Sequence, residues 1–106
     1  MKKLISIITP MYNEEENIER YFSEMRRVLK KYEKKYRFEF VITDNRSTDG
    51  TFGMLAEAAK KDKRIRAFRL SKNYGYQKSI WTGYSKARGD AAIEFDADLE
   101  DSPELI

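Results

Sequence analysis

Four short runs of β-branched and apolar residues, each followed by a polar cluster, constrain this chain more than any other feature. They are LISIIT (Leu4 to Thr9), FEFVIT (Phe38 to Thr43), IRAFRL (Ile65 to Leu70) and AAIEF (Ala91 to Phe95). Runs of this length and composition read as strands. Between the first two, Ile18, Tyr21, Phe22, Met25, Val28, Leu29 and Tyr32 recur at helical spacing. Phe52, Met54, Leu55, Ala58 and Ala59 repeat the pattern after the second run. A third helix is predicted from about Gly75 to Arg88, with Ile80, Trp81, Tyr84 and Ala87 as its buried face and Gly89 as its stop. The order βαβαβαβ with short links predicts an α/β fold, with a mainly parallel sheet, right-handed crossovers and helices on both faces.

Local signals refine the boundaries. Pro10 is expected to end the first strand. Asn13, with Glu16 three residues on, has the form of a capping box opening the first helix. Ser47 or Thr48 has the chemistry to cap the second helix. Ser102 and Pro103 read as the cap and first residue of a fourth.

Composition removes several chemistries. The 106 residues include no cysteine and no histidine, which excludes disulfides, thiolate or imidazole metal sites and a Ser-His-Asp triad within the chain. A bound metal must have oxygen ligands. No run approaches a membrane span, and MKKLISIITP is too short and too broken by Ser6 and Thr9 for a signal peptide. The net charge of +3 divides into +10 over residues 1–89 and −7 over residues 90–106. A basic body beside an acidic edge suits a phosphate-bearing ligand held with a cation, or simply a solvated surface. No nucleic-acid motif accompanies the pI of 9.1, and no nucleic-acid partner is expected.

In a parallel sheet of this order the polar clusters share one rim. They are PMYNEE, DNRSTDG, SKNYG and DADLED. Ligands of open α/β sheets bind beyond the carboxyl ends of the strands, where strand order reverses. Asp96, Asp98 and Glu100 alternate after the fourth strand, and hard oxygen ligands suit Mg²⁺ or Mn²⁺. Taken alone they are equally a solvated acidic turn. An EF-hand loop is excluded because Asp101 stands where its glycine belongs. A phosphatase with an aspartyl nucleophile would carry such a pair after the first strand, not the fourth. Neither GxGxxG nor a P-loop is present. Glu94 interrupts an apolar strand, so it needs a partner or an exposed edge.

Together the stretches ITPMYNEEENI, ITDNRSTDGT, LSKNYGYQKSIWTGYSKARGD and DADLEDSPELI resemble the family 2 glycosyltransferases of the GT-A fold. The likeness is greatest to the polyprenyl-phosphate sugar transferases of the dolichol-phosphate mannose synthase type. The resemblance implies a Rossmann-like nucleotide-sugar-binding half for residues 1–106, the N-terminal part of an incomplete domain that stops after the DxD loop. It implies a UDP- or GDP-sugar donor and a lipid-phosphate or glycan acceptor. Pro10, Tyr12, Asn13 and Glu14 match the loop lining the base and ribose, Asp44 the acid on the nucleoside, and Lys72 and Asn73 a loop beside the nucleotide. Asp96 and Asp98 match the DxD pair, which reaches the ribose or diphosphate through Mg²⁺ or Mn²⁺, with Glu100 near the metal. Asn45 and Arg46 depart from the usual second Asp and Gly. By the same resemblance, transfer inverts the sugar, the catalytic carboxylate lies beyond residue 106, and residues 1–106 alone are inactive. A location in the cytoplasm at the membrane face is expected for the whole protein, and self-association through an open sheet edge for the fragment.

Overall fold

The computed structural model describes residues 2–98, so Glu100 and the expected helix start at Ser102 and Pro103 lie outside the described residues. Its elements are β1 (Lys3–Met11), α1 (Ile18–Leu29) with a trailing 3₁₀ turn (Lys30–Tyr32), β2 (Tyr36–Asp44), α2 (Thr51–Lys61), β3 (Ile65–Arg69), α3 (Tyr76–Lys86) and β4 (Ala91–Glu94). All strand pairs are parallel, and the order is β3-β2-β1-β4. The chain therefore winds outward from β1 to β3, then crosses back to place β4 on the other side of β1. Strand order reverses between β1 and β4.

Alternation along β1 and β2 sends side chains to two different layers. Ile7, Met11, Phe40 and Ile42 meet Tyr21, Phe22, Met25 and Leu29 of α1 and Leu55 of α2 in the main core. Tyr21 is fully buried, and its hydroxyl lies 2.5 Å from Thr9 Oγ1. The opposite face carries α3. Thr43 Oγ1 lies 2.7 Å from Ser79 Oγ, and a Cβ added to Gly83 would lie 2.6 Å from Ile8 Cγ2. The helix thus docks through Ser79 and Gly83, not through the expected apolar face. Trp81 is 71% exposed and Tyr84 43%. Bulky Ile8 and Val41 fill the sheet face, so only small residues let the helix backbone approach, and such residues carry little hydropathy signal.

Three boundary expectations also change. β1 runs through Pro10, which pairs with Thr43 in register. Ile8 O accepts the Phe95 N–H, and Pro10, two residues on, faces the same edge without an N–H to offer. Pro10 thus ends the β1–β4 ladder rather than the strand. Helix α1 starts after Asn17, not at Asn13. Gly89 is no left-handed stop, since Gly75 is the only described glycine with positive φ. Gly89 instead lets the chain pass close to β1. Its N–H donates to Ser6 Oγ at 2.9 Å, and a Cβ there would lie 2.8 Å from Leu4 O.

Beneath α3 a buried carboxylate ties four segments together. Glu39 of β2 accepts from Ser6 Oγ (2.5 Å), Arg66 Nη1 (2.8 Å) and the Arg88 N–H (2.7 Å). Burial pushes the Glu39 carboxyl up, but these donors together outweigh it and hold the group below the ordinary glutamate value. A depressed folded value stabilises the protein above the unfolded pKa and is lost as pH falls through the folded one. Urea unfolding is therefore expected to show stability falling on acidification below the ordinary glutamate range. Glu39→Gln should flatten that limb while costing about 1–3 kcal/mol at neutral pH.

Candidate functional site

The loops after β1 and β2 are zipped together by their own polar side chains. Asn13 adopts φ 52°, the left-handed region that asparagine tolerates. Its Oδ1 accepts the Thr48 N–H at 2.8 Å and the Asp49 N–H at 3.3 Å, while its own N–H donates to Ser47 Oγ at 2.9 Å. The Glu14 N–H donates to Thr51 Oγ1 at 2.8 Å, and Glu15 Oε2 accepts the Gly50 N–H at 2.9 Å. Asn13 therefore does not cap α1 but holds the neighbouring loop. Ser47 and Thr48 are engaged in this zipper, and it is Asp49 Oδ1 that accepts the first N–H of α2, from Thr51, at 2.9 Å.

Asp44 lies beneath the zipper, fully buried. It accepts from the Ser47 hydroxyl and faces Arg69 Nε at 3.3 Å. The structure places it in the wall of neither strand-end hollow, so its carboxylate organises the loop rather than facing the rim. Its neighbour Asn45 does reach the rim. Asn45 Nδ2 donates to Asn73 Oδ1 at 2.7 Å, and Asn45 Oδ1 accepts the Tyr74 N–H at 2.9 Å. Asn73 Oδ1 also accepts, at 2.9 Å, the N–H of Gly75, whose φ is 92°. Lys72 lines neither hollow, and its Nζ lies over the Tyr74 ring at 5.2 Å.

Two hollows adjoin at the reversal of strand order. One, about 280 Å³, is lined by Pro10, Met11, Tyr12, Asn45, Asn73, Gly75, Tyr76 and Ser79. The other, about 290 Å³, is lined by Pro10, Tyr12, Glu14, Tyr76, Asp96, Ala97 and Asp98. Pro10, Tyr12 and Tyr76 form the wall common to both. A larger hollow of about 600 Å³ lies between α1 and α2, against Ile18, Phe22 and Met54, away from this shared wall.

The second hollow is acidic. Burial is the main reason the Glu14 carboxyl sits above its ordinary value. An Asn17 hydrogen bond opposes this, and the charges of Asp98, Asp49 and Asp96 add to it. A cation there would relieve that repulsion. Among the described residues no three carboxylates converge into a ready-made metal cage. Two carboxylates with a ligand's own phosphates are the usual arrangement for Mg²⁺, so the donor set fits a cation that arrives with its ligand. Tyr76 closes this end of α3, and its hydroxyl touches both Glu94 and Asp96. Burial and these two acceptors push its phenol well above the ordinary tyrosine value, so it is a hydrogen-bond donor at any working pH. Glu94 thus has the partner an acid in this strand requires, and among the described residues β4 is an edge strand.

The rim contains Pro10, Tyr12, Glu14, Asn73, Asp96 and Asp98, as the sequence suggests. Tyr76, Asn45 and Ser79 line it as well, without a distinct signal in the sequence. Helical periodicity absorbs Tyr76 and Ser79, and Asn45 reads as an ordinary turn residue.

Comparison with known proteins shows a family and a fold in common. Residues 6–106 match the family described as Glycosyl transferase family 2. An uncharacterized glycosyltransferase of Synechocystis is 37% identical over 102 residues, covering 96% of this chain and 31% of that protein. An undecaprenyl-phosphate 4-deoxy-4-formamido-L-arabinose transferase of Proteus mirabilis is 37% identical over 103 residues, with the same coverage. The chain thus spans about a third of the length of these relatives. A Pyrobaculum calidifontis mannosyltransferase solved with GDP-Man and Mn²⁺ superposes with a TM-score of 0.75 at 25% identity, covering 92% of this chain and 28% of that one. TarS of S. aureus in complex with UDP-GlcNAc superposes with a TM-score of 0.74 at 25% identity, covering 92% and 27%.

Two substitutions test how the zipper and the loop backbone are held. Asn13→Gly keeps the backbone conformation but removes the Oδ1 acceptor. Faster amide exchange at Thr48 and Asp49, with a loss of about 1–2 kcal/mol, is expected by hydrogen-exchange NMR. Arg46 holds φ 62° without asparagine's tolerance for it. Arg46→Gly removes that strain against a larger unfolded-state entropy, and a gain of about 0.5–1 kcal/mol in urea unfolding is expected.

Proposed function

The chain belongs to glycosyl transferase family 2, and from that premise we propose that it forms the donor-binding part of an enzyme transferring sugar from a nucleoside diphosphate. The observation that carries this reading is the pair of adjoining hollows at the β1/β4 reversal, one flanked by amides and aromatic rings and the other by carboxylates. The nucleoside occupies the first, against Tyr12, Asn45 and Asn73. Its flat ring suits Tyr12 and Pro10, and the amides supply donors and acceptors for its edges. The diphosphate crosses the common wall toward Asp96 and Asp98.

Asp96 and Asp98, with Glu14 close by, would hold Mg²⁺ or Mn²⁺. The cation, when bound, offsets the charge that develops on the departing diphosphate. The chain's own residues orient the donor and set the negative field that draws the cation in. Asp44 and the zipper of Asn13 with Thr48 and Asp49 hold the rim rigid. Glu100, outside the described residues, follows Asp98 closely enough in sequence to join the cation's surroundings. The acceptor attacks the anomeric carbon from the opposite side, with inversion. The relatives' names support a polyprenyl phosphate as that acceptor, an anion that needs less help from a general base than a hydroxyl does.

Calorimetric titration of the full-length protein with UDP- and GDP-sugars, with and without Mn²⁺, tests the reading. One of the two donor classes should bind in a Mn²⁺-dependent manner. Asp98→Ala should weaken that binding at least about tenfold, or about 1.4 kcal/mol. Donor uptake unaffected by Mn²⁺ and by Asp98→Ala would refute the assignment.

A further inference from the structure

Tyr76 offers one phenolic hydrogen to two carboxylates. Its oxygen lies 2.5 Å from Glu94 Oε2 and 2.6 Å from Asp96 Oδ1. A tyrosine hydroxyl has a single hydrogen to donate, so at any moment only one of the two acids receives it. Tyr76 is the first residue of α3, behind Gly75, and its ring stands between the two hollows. Glu94 is the last residue of β4, and Asp96 follows two residues later. Alternation brings both acids to the side of the sheet that α3 covers. Phe95 and Ala97, between and beyond them, are buried in the main core.

We infer that Glu94 is a positioning residue that receives the Tyr76 hydrogen when a cation engages Asp96, keeping the ring in place as the wall shared by both hollows. The inference rests on the reading of Asp96 as a cation ligand. A hydrogen bond to a carboxylate and a cation on the same carboxylate compete for its electron pairs. If Asp96 were the only acceptor, the phenol would either oppose the cation or swing off and open the wall. A second acceptor 2.5 Å away lets the hydrogen change partners without moving the ring. It also gives a physical reason for an acid in a strand otherwise composed of Ala91, Ala92 and Ile93. That acid is only half-buried, which lowers its desolvation cost.

The test is Mn²⁺ affinity in the presence of a fixed concentration of UDP or GDP, followed by the electron paramagnetic resonance signal of free Mn²⁺ in titrations of the full-length protein against the same nucleotide alone. Glu94→Leu should weaken Mn²⁺ binding about tenfold, the scale of one hydrogen bond to a charged group. Adding Tyr76→Phe to that variant should restore at least about threefold of the loss, because the competing donor is gone. Tyr76→Phe alone should leave Mn²⁺ affinity equal or higher. If Glu94 acts only through its charge, Tyr76→Phe restores nothing in the Glu94→Leu background, and the inference is overturned. Should Glu94→Leu disturb the edge strand, seen as a lowered melting temperature, Glu94→Gln keeps an acceptor oxygen in place. Tyr76→Phe should then bring no recovery in the Gln background, and a recovery there overturns the inference. Asp96→Ala separates the two levels. Undiminished Mn²⁺ uptake in that variant overturns the cation reading itself, whereas impaired uptake without recovery in the double variant overturns only the role of Glu94.

Discussion

β1 is hydrogen-bonded on both edges and covered on both faces, and everything else is referred to it. A parallel strand in that position cannot slip by one residue, because the slip would exchange Ile7 and Met11 with Ser6 and Ile8 between two layers of different shape. Its register with β2 sets the loops that follow them side by side. Its register with β4 brings Asp96 next to Pro10. Site geometry is therefore a consequence of strand pairing, not of the loops themselves.

The two faces of the sheet are built by different physics. Toward α1 and α2, large side chains interlock, with Tyr21, Phe22 and Phe40 in edge-on contact at centroid distances of 5.0–6.4 Å. Toward α3 the helix backbone itself comes close, through Ser79 and Gly83, and a polar network around Glu39 closes the lower end. Among the described residues every buried side-chain nitrogen and oxygen has a partner. That satisfaction is what lets a carboxylate and several hydroxyls lie between layers without a large penalty. Because α3 is held by close approach, its first residue, Tyr76, has a fixed position over the acidic hollow. The same docking leaves Trp81 and Tyr84 facing outward.

The rim separates support from contact. Most of the polar residues in the first two loops are engaged with one another, which makes the rim stiff before any ligand arrives. A preorganised site loses less entropy on binding. Fewer polar side chains line the two hollows than the motifs suggest: Tyr12, Asn45 and Asn73 at one, Glu14, Asp96 and Asp98 at the other.

The sequence by itself determined the element types, their order and the common rim, because hydrophobic periodicity is local and strong in runs such as LISIIT and FEFVIT. It also placed Asp96, Asp98, Tyr12 and Glu14 at that rim, since any residue just past a parallel strand must lie there. Tertiary structure alone decided which way the side chains turn. Asn13 has a cap's chemistry, yet a left-handed backbone aims it at Thr48. Asp44 looks like a ligand's partner, yet Ser47 and Arg69 draw it inward. Tyr76 belongs to a helix by its spacing, yet the crossover of α3 sets its hydroxyl between Glu94 and Asp96. Each of these depends on a neighbour more than twelve residues away or on a dihedral that periodicity does not encode.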